Sequence, residues 1–355
     1  EKQGGSDLRA VTTRAEPGAD GTYVLTGEKW FCSAPMCDVF LVLARTDAGP
    51  TCFLLPRVRP DGTANALRVV RLKSKLGNRS NASAQIALDG ALAWRVGPEG
   101  RGLASILEAV SATRLDCVLG SAALMRRALV EAGAHARQRV AFGGPLIDKP
   151  VMRAVLADLA LDQEAATTLG LRLAAAVDHG ERAFLRLALP SAKYLVCKQT
   201  PTFVAEALEC FGGNGYVEDD SPMALLYREA PLNSIWEGSG SIQALDVLRA
   251  LRREPEALNA WLTEVGPAAG QDPHLDRAIE DLLQSMADLE DLESRGRSVA
   301  ERFAVVLQAA LLTRHAPAEI ATAFCAARLG GTGGRTYGTL PRDSDVTAIL
   351  DRALH

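Results

Sequence analysis

Two hydrophobic patterns divide the chain, one with the two-residue period of strands and one with a helical period. Between residues 10 and 95, short apolar runs alternate with turn-forming pairs such as Asp20–Gly21 and Gly77–Asn78. This rhythm predicts a small antiparallel sandwich or barrel. The predicted strands are Thr22–Thr26, Trp30–Ser33, Val39–Ala44, Cys52–Pro56, Leu67–Val70 and Ser83–Leu88.

From Gly102 to Arg253 the apolar positions recur with a helical spacing. We predict three long helices here, with the second over 151–177 and the third over 184–208. Together with a helix after Gly240 they are expected to form an antiparallel four-helix bundle, because long apolar stripes can be buried only side by side. Pro190 and Pro201 are expected to kink or split the third helix.

Beyond residue 254 the pattern predicts a second helical unit, with helices over Pro273–Leu292, Val299–Arg314, Pro317–Leu329 and Ser344–Leu354. The predicted fold class is therefore α+β. We divide the chain into a β domain (1–98), a helical bundle domain (99–253) and a C-terminal helical extension (254–355).

Length and composition agree with this division. A chain of 355 residues is long enough for two or three packed units. The 48% of hydrophobic residues are spread through short segments, with no apolar run of bilayer length and no leader, so we expect a cytoplasmic protein without membrane contact. Seven scattered cysteines and five histidines form neither a disulfide framework nor a metal signature.

The stretch 233–243 carries the clearest chemical signal. Glu237 follows an apolar pair and precedes Gly238-Ser239-Gly240, and helical spacing begins at Ile242. Glu237 is thus predicted on a loop directly before a helix, where it could act as a base. The alternative is a first-turn glutamate that complements the helix dipole.

Five segments in order resemble the acyl-CoA dehydrogenase family of flavoproteins. In the last of them, Ile-Trp-Glu-Gly-Ser stands where many members read Tyr-Glu-Gly-Thr, and Glu237 matches the family's catalytic base. The resemblance covers residues 1 to about 250. The five segments are Glu1–Asp7, Gly27–Ser33, Arg139–Gly143, Phe211–Tyr216 and Asn233–Gln243.

The resemblance implies FAD as cofactor. Ser33 matches a hydroxyl that bonds the flavin near N5, and Arg139 and Phe142 match residues that reach the FAD of a neighbouring subunit. Phe31 matches a tryptophan that lies against the ring in many members, but Trp30 is one residue earlier, so which of the two aromatic residues meets the flavin stays open. The matching cofactor residues are Ser6, Phe31, Cys32, Ser33, Arg139, Phe142, Gly212, Gly213, Ile235, Trp236, Gly238, Ser239, Gly240 and Ser241.

The implied activity is α,β-dehydrogenation of an acyl-CoA thioester or a related small molecule. Glu237 would take the α-proton, while its N–H and a flavin ribityl hydroxyl polarise the thioester carbonyl. Some members place the base on the helix that here carries Asp116, which is the competitor. Arg114 and Arg249 match substrate or nucleotide contacts, although both could equally form surface salt bridges. A homotetramer or dimer is expected.

The extension and the motifs resemble the AidB-type branch, alkylation-response flavoproteins that are reported to bind duplex DNA. That is our alternative function, with little thioester turnover. From residue 250 onward, however, 11 arginines and no lysine face 16 acids, a net charge of −5. Because phosphate binding needs a basic surface, DNA binding is predicted to be weak and salt-dependent.

Two smaller alternatives stay open. The basic stretch Arg71–Arg79 is either a solvated loop or an anion contact, and Arg328–Arg335 is either a helix end or a small anion nest. Members of the family also carry a helical domain ahead of the position where this chain begins. If the protein truly lacks it, a flavin-free interaction module is a third candidate.

Overall fold

The computed structural model describes residues 1–287 and 291–354. By its internal contacts the chain separates into two compact units, Glu1–Ala112 and Thr113–His355. The predicted division into three domains, with a boundary at 253/254, stays a prediction.

The first unit is built on a six-stranded sheet in the order β2-β1-β3-β4-β6-β5. Strand β2 also pairs with β6, so the sheet closes into a barrel-like form with β5 attached outside the closure. All pairs are antiparallel except β1 with β3. The strands are β1 (Arg14–Pro17), β2 (Thr22–Cys32), β3 (Val39–Thr46), β4 (Gly49–Pro56), β5 (Leu67–Leu72) and β6 (Ala84–Val96).

Alternating apolar residues of these strands meet inside the sheet, where Leu25, Phe53 and Leu88 are fully buried. The structure differs from the prediction at β2, which is one strand and spans the two that were predicted. Gly27 lies within this strand with a φ of +152°, and a Cβ there would come within 2.7 Å of Thr13. Strand β1 was not predicted.

The second unit is helical, and α1 begins in the first unit and continues into it. Its longest helices confirm the three that the periodicity predicted. The helices are α1 (Gly102–Gln138), α2 (Pro150–Asp178), α3 (Arg182–Glu209), α4 (Met223–Glu229), α5 (Gly240–Arg253), α6 (Pro255–Val265), α7 (Pro273–Ala287), α8 (Gly296–His315), α9 (Ala318–Phe324) and α10 (Val346–Leu354). A two-residue hairpin, β7 (Val140–Ala141) and β8 (Gly144–Pro145), follows α1.

Helix α3 is central to this unit and packs against α2, α5, α6 and α8. It runs unbroken through Pro190 and Pro201, so the prolines do not split it. Helices on both sides of residue 254 share one hydrophobic core, which includes the fully buried Trp261 and Phe303. Helices α4 and α6 were not predicted.

The predicted helix over 273–292 is observed as α7 up to Ala287, and residues 288–290 lie outside the described part of the chain. Within residues 1–287 and 291–354, no helix is both long and apolar enough to cross a membrane.

Candidate functional site

Glu237 lies on a tight loop of the second unit. A short 3-10 turn, Leu232–Ser234, precedes it, and α5 begins three residues later with Ser239 at the N-cap. The structure thus confirms the loop position predicted from the sequence. Glu237 has a φ of +57° and Gly238 a φ of +92°. A left-handed conformation is uncommon for a residue with a side chain and must be held by its surroundings.

The Glu237 carboxylate is half-buried and receives a hydrogen bond from α1. Thr113 Oγ1 donates to Glu237 Oε2 over 2.8 Å. This contact fixes the side chain yet leaves further lone pairs on the carboxylate. The competitor Asp116 lies on the same helix and is exposed.

Three side-chain donors fix the backbone carbonyls of the loop. Lys193 Nζ donates to the carbonyls of Asn233, Trp236 and Gly238 over 3.0, 2.8 and 2.9 Å. Gln243 Nε2 donates to the Glu237 and Gly238 carbonyls, over 3.0 Å each. Arg114 Nε also donates to the Glu237 carbonyl, over 3.3 Å. The left-handed turn is therefore held from within the chain.

A second set of bonds ties the front of the loop to the helices. Trp236 Nε1 donates to Asn233 Oδ1 over 2.9 Å, and Asn233 Nδ2 donates to Ser121 Oγ over 3.1 Å. Ile235 lies 64% exposed. Of the two apolar residues before Glu237, only Trp236 is therefore partly packed by its own unit.

Arg114 and Arg249, which match substrate contacts, both pair with Asp246. Arg114 Nη1 lies 2.7 Å and Arg249 Nη1 3.5 Å from this carboxylate, which also accepts from Arg186 Nη2 at 3.1 Å. The salt-bridge alternative is thus present in the structure, and the substrate role of both arginines stays a prediction.

The hairpin after α1 presents groups outward. Phe142 and Gly143 form its two-residue turn with φ values of +51° and +80°, as a type I′ turn requires. The Phe142 ring is 90% exposed. The exposed Arg139 guanidinium has no ion pair or hydrogen bond within residues 1–287 and 291–354. Both groups, predicted to contact FAD, are thus available for a ligand.

The glycine run after α3 forms a short 3-10 helix, Gly212–Tyr216. Gly212 has a φ of +59°, which favours glycine. At Gly213 an added Cβ would meet no atom within 4 Å, so nothing in the described chain requires glycine there. Close approach of a ligand backbone or phosphate is one physical reason for its use.

In the first unit, Ser33 lies in an open cleft of about 400 Å³ that is largely apolar. Phe31, Cys32, Val39 and Leu41 also line it, and Phe31 is 64% exposed. Ser6 is exposed on the N-terminal loop. This surface can offer an apolar wall and a hydroxyl to a flat ring.

Comparison with known proteins decides the family. The profile of the acyl-CoA dehydrogenase middle domain matches residues 1–91, and that of the acyl-CoA dehydrogenase C-terminal domain matches residues 100–252. The chain belongs to the acyl-CoA dehydrogenase family, and within it to the AidB type. Members of this family are FAD-dependent and typically oligomeric.

Two of the three relatives below match nearly the whole chain, including its C-terminal helices. Putative acyl-CoA dehydrogenase AidB of Escherichia coli K12 is 46% identical over 338 residues, which are 94% of this chain and 62% of that protein. Cyclohexane-1-carbonyl-CoA dehydrogenase of Geobacter metallireducens is 30% identical, covering 72% of this chain and 67% of that protein. The crystal structure of Caenorhabditis elegans ACDH-11 in complex with C11-CoA has a TM-score of 0.82 and 32% identity, covering 93% of this chain and 63% of that one. The chain therefore spans less than two thirds of the AidB and ACDH-11 chains.

Three arginines of the AidB-type extension are paired with acids. Arg314 pairs with Glu264 at 2.7 Å and Arg352 with Glu164 at 2.7 Å. Arg328 bonds two buried aspartates, Asp158 and Asp162. An anion nest built on Arg328 is therefore wrong, because two carboxylates of the chain already occupy its guanidinium.

The basic stretch of the first unit surrounds Trp30. The ammonium of Lys73 lies 3.4 Å from the Trp30 ring centroid, with Lys2 at 5.0 Å and Arg71 at 5.2 Å. Lys75 has a structural role, since its ammonium donates to the carbonyls of Asn78 and Asn81. Both interpretations of this stretch remain compatible with the structure.

Sequence analysis missed Lys193, Thr113, Gln243 and Asp246 as parts of the site. One signal was present for Lys193, a lone cation within the apolar run Ser191–Cys197. A lysine there must either be buried or interrupt the apolar face of the helix. A buried ammonium needs hydrogen-bond acceptors.

Proposed function

We propose that this protein is an FAD-dependent dehydrogenase that introduces an α,β double bond into an acyl thioester, with Glu237 as the base. The carboxylate would take the α-proton, a hydride would leave the β-carbon, and a C=C bond would form between the two carbons. FAD, when bound, supplies the two-electron acceptor for that hydride.

The observation that carries the proposal is the state of Glu237. Its carboxylate is held at one oxygen by Thr113. Its N–H has no acceptor among the described residues, while the carbonyls on either side are all bonded. One residue thus offers a positioned base and a free donor, which are the two groups that enolisation of a thioester needs.

The residues present fit FAD. Among the described residues, the side chains of Arg139 and Phe142 have no hydrogen-bond or ion-pair partner. A guanidinium suits a pyrophosphate, and Gly213 has open space at its Cα. In the first unit the cleft at Ser33 and Phe31 offers a hydroxyl beside an apolar wall. We assign the remaining cofactor contacts, Ser6, Cys32, Ile235, Trp236, Gly238, Ser239, Gly240 and Ser241, on the family resemblance.

The substrate class follows from the relatives. One of them was crystallised with C11-CoA, and the names of others are those of acyl-CoA dehydrogenases, so we propose an acyl-CoA thioester for this protein. We also propose a homotetramer or dimer, and an antiparallel bundle of α1, α2, α3 and α5. The outward-facing Phe142 supports assembly, because its ring is left uncovered by its own chain.

The test is anaerobic reduction of the flavin by a panel of acyl-CoA thioesters. The wild type should bleach with at least one thioester, and Glu237→Gln should be slower by about 10² to 10⁴, because the amide cannot take a proton. Asp116→Asn is the matched control and should stay near the wild-type rate. Equal rates for wild type and Glu237→Gln would show that the base is elsewhere, and a protein that takes up no FAD would overturn the cofactor.

Duplex DNA binding remains the alternative outcome of this test. If no thioester reduces the flavin, a DNA-associated flavoprotein becomes the better account. The net charge of −5 after residue 249, and the ion pairs that already engage Arg314, Arg328 and Arg352, argue against a strong phosphate-binding surface in the extension.

A further inference from the structure

Lys193 is a buried cation that has no carboxylate partner among the described residues. It lies in the middle of α3, is 2% exposed, and is among the largest fully buried side chains of the protein. Its three N–H donors are matched by three acceptors, all of them backbone carbonyls of the segment 233–238.

Such a lysine is costly to keep. Burial lowers the pKa of Lys193, because the charged form loses its hydration. Replacing buried charged residues by apolar residues of similar volume often leaves the stability of a protein unchanged or raises it. Stability alone is therefore a weak reason for an ammonium at this place.

The geometry gives a stronger reason. In a trans peptide the C=O of one residue and the N–H of the next point in opposite directions. The Trp236 carbonyl points to Lys193 at 2.8 Å, so the Glu237 N–H is directed away from α3. The Gly238 carbonyl is held by the same ammonium at 2.9 Å. Lys193 thus fixes the peptide plane before Glu237 and the one after Gly238, while Gln243 holds the Glu237 carbonyl between them.

We infer that Lys193 is a positioning residue, whose ammonium orients the Glu237 loop so that the Glu237 N–H is presented to the carbonyl oxygen of the substrate. This role rests on the proposed dehydrogenation. Lys193 itself does not touch the reacting atoms. It acts through the loop, in concert with Gln243, which holds the Glu237 and Gly238 carbonyls from α5.

The test compares Lys193→Met with Lys198→Met in the FAD-loaded protein. Methionine keeps the length of the side chain but offers no donor. Lys198 is an exposed lysine on the same helix and controls for the lost charge. Lys193→Met should lower the rate of flavin reduction about 10- to 100-fold, since removing one oxyanion donor costs about 10² to 10³. The KM should change little, and Lys198→Met should behave as the wild type.

Two readouts separate positioning from a merely structural role. The infrared C=O stretch of a bound, isotope-labelled thioester should be shifted down in the wild type and should move back toward its unbound frequency in Lys193→Met. Hydrogen exchange of residues 232–240 should be about tenfold faster in this variant, without faster exchange in α2 or α8. Uniformly faster exchange with an unchanged carbonyl frequency would overturn the inference.

The outcomes distinguish this inference from the proposed function. If the wild type is reduced and Lys193→Met is reduced equally fast, the inference alone is wrong. If no thioester reduces the wild type, the proposed function fails, and the catalytic role of Lys193 fails with it. Should Lys193→Met not fold, Gln243→Leu carries the same test, with an expected rate loss of about tenfold and the same shift of the carbonyl band.

Discussion

The Glu237 loop and the Phe142 hairpin solve the same backbone problem in opposite ways. Each holds a residue with a large side chain in the left-handed region, with φ values of +57° and +51°. Around Glu237, the carbonyls of three consecutive residues are bonded to buried donors of the chain. Around Phe142, a ring that is 90% exposed and the Arg139 guanidinium face outward.

This difference indicates where each site is completed. The Glu237 loop has its supports within one helical unit, so it should keep its shape without ligand. The hairpin carries backbone strain with no compensating contact for its ring, and strain of this kind points to a function outside the chain's own packing. A cofactor or a second subunit is the natural source of the missing contacts.

The largest expected effect tests the internal support of the Glu237 loop. Asp246→Ala leaves Arg114 and Arg186, with side chains 13% and 25% exposed, without their shared carboxylate. We expect a loss of about 3–5 kcal/mol in the free energy of unfolding, measured in urea, and slower flavin reduction.

Arg127→Ala is the control for Asp246→Ala, since it removes one partner of the exposed pair Arg127–Glu131 on α1. An exposed pair of this kind contributes below about 1 kcal/mol. Equal losses in the two variants would mean that the Asp246 cluster does not support the loop.

The next effect concerns the hairpin. Arg139→Ala should weaken FAD binding by about 10- to 100-fold, because charge-assisted hydrogen bonds contribute about 1.5–3 kcal/mol each. Stability without FAD should change by less than about 0.5 kcal/mol, since Arg139 has no partner in the described chain. FAD titration followed by fluorescence measures the affinity, and Arg137→Ala, two residues earlier, is the charge-matched control. An unchanged affinity would remove Arg139 from the cofactor site.

The same contrast explains what the sequence could predict. The long helices follow from periodicity, and the position of Glu237 follows from glycines and a helix start that lie within a few residues of it. Lys193 lies 44 positions before Glu237, and Thr113 lies 124 before it. Only the packing of α1 and α3 brings these donors to the loop, so local pattern could not identify them.

Strand β2 shows that prediction from local pattern can also fail where the contact is close in the sequence. Two strands were predicted where β2 is continuous, and Gly27 lies inside it, where the Thr13 backbone approaches too closely for any side chain. Its partner is 14 residues away, in a segment whose strand β1 was itself not predicted. A glycine inside a strand can thus be required by a tertiary contact that the local pattern does not show.

A smaller effect is expected from relief of the strain at Phe142. The left-handed conformation costs a residue with a side chain about 1–2 kcal/mol, and glycine avoids this cost. Part of the gain is lost, because glycine has a larger conformational entropy in the unfolded chain. Because the ring buries little surface, Phe142→Gly should stabilise the FAD-free protein by about 0.5–1 kcal/mol while weakening FAD binding. Urea unfolding and FAD titration check the two parts. Destabilisation would mean that the ring has a packing role in its own chain.

The smallest expected effect is a change in the pKa of His135, which lies close to the hairpin. His135, on the last turn of α1, stacks on Phe211 with ring centroids 4.4 Å apart. Burial lowers the pKa of His135, and the charge of Arg139 lowers it further. A histidine whose pKa is depressed by folding contributes stability above its unfolded pKa of about 6.5, and that contribution is lost as the pH falls below this value.

If a pyrophosphate neutralises the Arg139 charge, the part of the lowering of the His135 pKa that this charge causes should disappear. We therefore expect FAD to raise the pKa of His135, so that FAD binding near pH 6 takes up a fraction of a proton. NMR titration of the His135 ring with and without FAD measures this, and Arg139→Ala should raise the pKa before FAD is added and abolish the further change. A His135 pKa that is insensitive to FAD in the wild type would mean that no anion reaches Arg139, and the hairpin would then owe its exposed groups to a protein partner rather than to the cofactor.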